Sequence, residues 1–366
     1  MKVAHCIHGL GLGGAQQVIR ALVRRGNRSA FEHFVYSSSD GLFRAPIEAA
    51  GATVRVIVRR VPKLDPQWAL ALRRAMRADR IDIVHTHLFG DSLHGYIAAR
   101  LAGALPVVMT LHNGVAACTR LQRVGYRWLL RRAAGRVACT ESARESFAAL
   151  APDVETIANG IEPLPPAALD GAARAAARAA LGLGGDGLVI GASGRMVEQK
   201  DFATLIEAFA RLRQLGAPLA ALVLVGDGPL RGALEQQAQR VGVRTLIHFA
   251  GLRDDARGLL PACDVVAFSS RFEGLSIALL EAMAAARCLV ATRAAGITDV
   301  VDQRQALLVP VGDPAALAAA LATALADAGL RARLGAAAQA RFLAGFTAER
   351  MVAGYERLYR AVAEGA

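Results

Sequence analysis

Arg271-Phe-Glu-Gly-Leu-Ser-Ile-Ala-Leu-Leu-Glu-Ala-Met283 follows the apolar run Val265-Val-Ala-Phe268 and two serines. An apolar run of strand length, a glycine turn and then good helix formers from Leu275 or Ser276 predict strand, tight turn and helix in that order. The first turn of such a helix has N–H groups without intrahelical partners, so its mouth is a seat for a phosphate. Gly274 and Leu275 form the turn, and Ser276 adds a hydroxyl. Glu281 lies five residues beyond Ser276, about 7.5 Å along the axis, a reach that spans from a diphosphate to the ribose of the same nucleotide. Glu273 precedes the turn and can face whatever the phosphate carries. The two glutamates could be solvated helix charges. Yet Ala278, Leu279, Leu280, Ala282 and Met283 predict a helix buried on most faces, and a glutamate in such a helix needs a partner. The pattern predicts a site for a sugar nucleotide.

Glu273 and Glu281, with seven residues between them, resemble the Glu-x7-Glu signature of retaining glycosyltransferases, particularly glycosyltransferase family 4 with its GT-B fold. The resemblance implies an α/β protein of two Rossmann-like, doubly wound domains facing across a cleft that holds the donor. Residues 1–165 would form the acceptor-side domain and 166–346 the nucleotide-sugar domain, with residues 347–366 packing back on the first.

Bulk properties agree with a globular chain of two ordinary domains: 366 residues, 54% hydrophobic and 20% charged. No run of about 18 uncharged apolar residues occurs, so neither a spanning helix nor a signal peptide is expected. The five cysteines are scattered, which predicts a reducing compartment and no structural zinc. Residues 1–165 hold 22 Lys+Arg against 12 Asp+Glu, whereas the rest is near neutral. A basic first half predicts an anionic surface or acceptor. Without zinc spacing or an RNA-binding aromatic motif, nucleic acid is not expected. The inner membrane leaflet or a lipid-phosphate acceptor fits better, although excess arginine can also serve solubility alone.

Lys2–Ile7 reads as a buried strand leading to Gly9, Gly11 and Gly14, which spell G-x-G-x-x-G before a helix. That is the signature of an NAD-type Rossmann domain and makes an oxidoreductase the rival reading. The rival needs an acidic residue closing the second strand, but Glu32 opens Glu32–Tyr36 and Ser37-Ser-Ser39 closes it. By the resemblance, Gly13-Gly14-Ala15 is instead a loop that approaches the donor phosphates and the acceptor. A fourth strand is expected at Ile81–Val84, ending in His85-Thr-His87. These two histidines are read as pointing to opposite faces with no third ligand nearby, so no metal site is expected. A fifth strand, Pro106–Leu111, delivers His112 before an Asn-Gly turn at the sheet edge where ligands gather. The resemblance implies that His112 holds the donor sugar and the reacting centre. Thr119 to Arg136 interleaves arginines with Leu121, Val124, Tyr126, Trp128, Leu129 and Leu130. It predicts either a helix lying on an anionic bilayer or an ordinary surface helix.

After Pro163, Pro165 and Pro166, an alanine-arginine helix and a glycine stretch read as the interdomain connection. Then the pattern restarts with Leu188–Ser193, Gly194-Arg195 and Lys200. By the resemblance, Arg195 and Lys200 neutralise the donor diphosphate, so no metal cofactor is needed. Strand Leu219–Val225 ends in Gly226-Asp-Gly-Pro229, a turn placed beside the nucleotide, and Leu252 opens a base-contact loop. The function implied is transfer of a sugar from a UDP- or GDP-sugar to a glycan or lipid-linked acceptor in bacterial surface polysaccharide or lipopolysaccharide synthesis. Its setting would be cytoplasmic, with peripheral contact at the inner face of the plasma membrane as the membrane alternative. A non-catalytic sugar-binding protein of the same fold is the third reading.

Overall fold

A computed structural model describes residues 1–11, 13–61, 64–151, 153–215 and 220–365. Two parallel sheets dominate it, and near-continuous apolar runs supply their strands, as expected when both faces of a sheet are covered. The first sheet comprises β1 (Lys2–Ile7), β2 (Glu32–Ser37), β3 (Thr53–Val56), β4 (Ile83–His87), β5 (Val107–Leu111), β6 (Gly135–Ala138) and β7 (Glu155–Thr156), in the order β3-β2-β1-β4-β5-β6-β7. The second comprises β8 (Leu188–Ser193), β9 (Ala220–Val225), β10 (Ile247–Gly251), β11 (Val265–Phe268), β12 (Cys288–Thr292) and β13 (Ala306–Val309), in the order β10-β9-β8-β11-β12-β13. Of the expected strand Leu219–Val225, Leu219 lies outside the described residues, as does Leu12 of the glycine-rich loop. In both sheets the order reverses beside the first strand, β1/β4 and β8/β11, and a crevice opens at the carboxyl ends there.

The chain divides into two compact units, Met1–Glu162 with Thr347–Ala366, and Pro163–Phe346. Thr347 bridges to Ile161, and helix Ala348–Glu364 follows. Its Met351, Val352, Tyr355 and Tyr359 are buried with Val3, Ile83, Val108 and Val137 of the first sheet. The second unit buries Ile190, Leu222, Val265 and Val290 of its sheet against Phe202, Leu205, Phe209, Leu317 and Leu321 of its helices. The alanine-arginine helix, Gly171–Ala180, is not a free connection. Arg174 reaches Asp264 at 2.9 Å and docks the helix in the second unit.

One expectation about faces fails. His85 and His87 lie within β4, not beyond its end, and residues two apart in a strand share a face. Their ring centroids stand 4.2 Å apart. The five cysteines are all unpaired. No single described helix is long and apolar enough to cross a membrane.

Candidate active site

The opening motif folds as its local chemistry dictates. Ser276 caps helix Ile277–Ala284, its hydroxyl accepting from the Leu279 N–H at 3.4 Å. Ile277, Leu279, Leu280, Ala282 and Met283 are buried, whereas Glu281 is half-buried on the remaining face. The turn before it is fixed by neighbouring loops. The Glu273 N–H donates to the Ala295 carbonyl at 2.9 Å, and the Thr292 hydroxyl donates to the Ser270 carbonyl at 2.6 Å. Gly296 has φ +82°, and its backbone passes so near Gly274 that a Cβ there would lie 2.5 Å from the Glu273 carbonyl oxygen and closer still to that of Gly274. Only glycine fits this approach.

Lys200 comes from the loop after β8, on the other side of the β8/β11 crevice, and its Nζ donates to Glu273 Oε1 at 2.6 Å. The Ser270 hydroxyl donates to the same oxygen at 2.6 Å, and Gln199 Nε2 approaches Oε2 at 3.4 Å. Both charged side chains are largely buried, so the pair fixes the two loops against each other. A lysine ammonium has three donors, and Glu273 engages one. Arg271 tightens the same junction: its N–H donates to the Gln199 carbonyl at 2.8 Å, and its guanidinium pairs with Asp201 at 3.0 Å. Arg195 is exposed, and among the described residues its guanidinium makes no ion pair. Gly226, at φ +134°, presses on the Gly194 carbonyl, which brings the β9 turn beside the Arg195 loop. Leu252, after β10, is exposed. Ser270 and Gln199 were not singled out in the sequence, because nothing local marks them as partners of a glutamate.

In the first unit, Gly13 and Gly14 open helix Gly14–Arg25. Gln16 Nε2 donates to the Gly9 carbonyl at 2.7 Å and shapes this loop. The hydroxyls of Ser38 and Ser39 donate to the His8 carbonyl. Serines thus stand where a dinucleotide fold needs its acid, and this weakens the NAD reading. His112 Nε2 sits 3.1 Å from His87 Nδ1, and burial lowers its pKa to about 4. The ring is neutral at neutral pH and serves as a hydrogen-bonding group, not a cation.

Behind His112 the imidazoles form a chain: His87 Nε2 to His5 Nδ1 at 3.3 Å, and His5 Nε2 to His33 Nδ1 at 3.0 Å. His85 bonds Tyr359 and Thr110, both at 2.7 Å. The expectation that His85 and His87 have no third ligand nearby also fails, because β1 runs beside β4 and brings in His5: nitrogens of His5, His85 and His87 come within 4.8 Å of one another, a spacing a metal could use. Each nitrogen of these three rings already has a hydrogen-bond partner, however, and burial lowers all three pKa values. The cluster is a network of neutral, hydrogen-bonded imidazoles.

Sequence comparison places this geometry in a family. Residues 12–163 match the model described as Glycosyltransferase Family 4, and residues 187–327 match Glycosyl transferases group 1. EpsF of Bacillus subtilis (strain 168), named as a glycosyltransferase, is 31% identical over 318 residues, 82% of this chain and 81% of that one. The chain belongs to glycosyltransferase family 4. The lipopolysaccharide core biosynthesis glycosyltransferase LpsE of Rhizobium meliloti (strain 1021) is 37% identical over 182 residues, 50% of this chain and 52% of its own. Among solved structures, Anabaena HepE in complex with UDP and glucose superposes with a TM-score of 0.86 at 21% identity, covering 98% of this chain and 99% of that one. The fold of this glycosyltransferase is therefore GT-B, and its activity is that of a transferase and not of a nicotinamide oxidoreductase.

Proposed function

We propose that this glycosyltransferase moves a sugar, with retention of configuration, from a nucleotide sugar to a glycan or lipid-linked acceptor in bacterial surface polysaccharide synthesis. The observation that carries this reading is the convergence of Lys200, Glu273 and Ser276 at the β8/β11 crevice. There, a leaving nucleoside diphosphate needs about two positive charges. Arg195 and Lys200 supply them, together with the helix mouth at Gly274, Leu275 and Ser276. Glu281 binds the ribose and Glu273 the sugar hydroxyls. Gly226 lets the backbone close on the nucleotide, and Leu252 flanks the base. In the first unit, the Gly13-Gly14 loop and neutral His112 are the groups that the family resemblance assigns to the donor sugar and the reacting centre. With this cation set the reaction needs no metal cofactor. A uridine nucleotide is favoured because HepE, of the same fold, binds UDP and UDP-glucose.

A thermal-shift panel of UDP-, GDP- and ADP-sugars tests the donor. At about 100 times Kd the right donor stabilises the protein by about 2.7 kcal/mol, and nucleoside diphosphate release should follow for that donor alone. No shift with any of them would reject the reading.

The setting we propose is the cytoplasmic face of the membrane, through helix Arg120–Leu130. Thr119 and Gln122 cap it in a reciprocal box. Tyr126, Leu129 and Leu130 pack inward, but Leu121 is 80% and Val124 68% exposed, beside exposed Arg120, Arg123 and Arg127. Arg132 lies 4.6 Å over the half-exposed Trp128 ring. An apolar strip edged by arginines suits an anionic bilayer surface. Replacing Arg127, Arg131 and Arg132 with glutamine should release the protein from anionic liposomes at least tenfold in a sedimentation assay, with neutral liposomes as control. Equal binding by the variant would exclude the membrane face.

A further inference from the structure

The first sheet has a crevice of its own between β1 and β4, and it too is spanned by a side-chain pair, here a histidine and a carboxyl group. His8 follows β1, and Asp91 stands in the first turn of helix Phe89–Gly103 after β4. His8 Nδ1 lies 3.5 Å from Asp91 Oδ2. The two residues differ sharply in exposure: the His8 side chain is 58% exposed, whereas Asp91 is 1% exposed. Among the described residues, neither carboxylate oxygen of Asp91 has a well-formed hydrogen bond; only the ring and backbone N–H of His8 approach it, and burial raises its pKa.

An acid in the first turn of a helix is favoured by the helix dipole, but that effect needs no burial. Taking a carboxylate out of water without hydrogen bonds costs several kcal/mol. A fold that keeps such a group at the carboxyl edge of its sheet, where ligands gather, holds an acceptor ready for donors that arrive from elsewhere. Arg59, half-buried, is close by, its guanidinium 3.8 Å from where a Gly90 Cβ would stand. The backbone turns into this helix through Leu88 at φ +70°, outside the usual range for a side-chain-bearing residue.

We propose that Asp91 and His8 form the acceptor-hydroxyl site of this enzyme, with Asp91 accepting hydrogen bonds from hydroxyls of a saccharide or cyclitol and His8 flanking them. The site binds and orients a polyol, and no bond is made or broken by these two residues. This rests on the transferase reading above, but its chemistry resides in the first unit alone.

The test uses the full chain and its Asp91→Asn and His8→Gln variants. Saturation-transfer NMR with methyl glucosides, N-acetylglucosamine and myo-inositol, in the presence of UDP, measures polyol binding. Calorimetry measures UDP binding separately. Wild type should bind at least one of these polyols, and Asp91→Asn should weaken that binding tenfold or more while UDP affinity changes less than twofold. His8→Gln should weaken it by a smaller factor. Because the amide removes a buried charge without changing shape, the melting temperature of Asp91→Asn should hold or rise. Absence of polyol binding by wild type, equal binding by Asp91→Asn, or a melting temperature several degrees lower would each overturn the proposal. Failure of wild type to bind UDP would instead count against the donor reading, and the polyol arm would still judge Asp91.

Discussion

Lys200→Ala lowers UDP affinity and kcat/KM at least tenfold, about 1.4 kcal/mol, and destabilises the fold as well. Lys200 and Glu273 are both largely buried and stand 2.6 Å apart. Removing one member leaves the other charge with only the Ser270 hydroxyl and a distant Gln199 amide, a loss on the order of 3 kcal/mol. The two effects separate in a double variant. Lys200→Met with Glu273→Gln neutralises both partners and should recover most of the melting temperature, because no uncompensated charge remains. UDP affinity should stay depressed, because the cation at the crevice is gone. If calorimetry returns a wild-type UDP Kd for Lys200→Ala, the phosphate site has been assigned to the wrong residues.

Gly296→Ala is the second large effect expected. At φ +82° an L-residue is disfavoured by about 1 kcal/mol. Here the new methyl also overlaps the carbonyls of Gly274 and Glu273, so the turn that presents Glu273 must shift. A displacement of about 1 Å in a positioning group can cost 100-fold in rate. Gly312→Ala is the matched control, since Gly312 has φ +73° with nothing within 4 Å of its Cβ position. It should lose only the backbone contribution in stability and retain full turnover. Equal activity in the two variants would mean that the Gly296 contact does not hold the site in place.

The glycine comparison also shows what the sequence could and could not carry. Gly274 was legible as a turn because it separates an apolar strand from a run of helix formers. Gly296 was not, since its constraint comes from a backbone more than twenty residues away in the chain. The same divide runs through the charged residues. The rule that a glutamate in an apolar helix needs a partner singled out Glu281. Applied to Phe89-Gly-Asp-Ser-Leu-His-Gly95 it would have singled out Asp91, so that signal was present and unread. Lys200 was legible as a cation after a strand, but not as the partner of Glu273, and Ser270 was not legible at all. The placement of His85 and His87 on opposite faces was an error of periodicity, because a strand returns every second side chain to the same face.

Local physics therefore determined the strands, the glycine turn and the helix start at Leu275 or Ser276, because each depends on interactions within a few residues, whereas the doubly wound class was implied by the family resemblance. Tertiary structure alone decided which loops meet: Lys200 with Glu273 across β8/β11, and His8 with Asp91 across β1/β4. Those meetings follow from the strand order, and strand order is set by how apolar faces pack over distances that no short periodicity records.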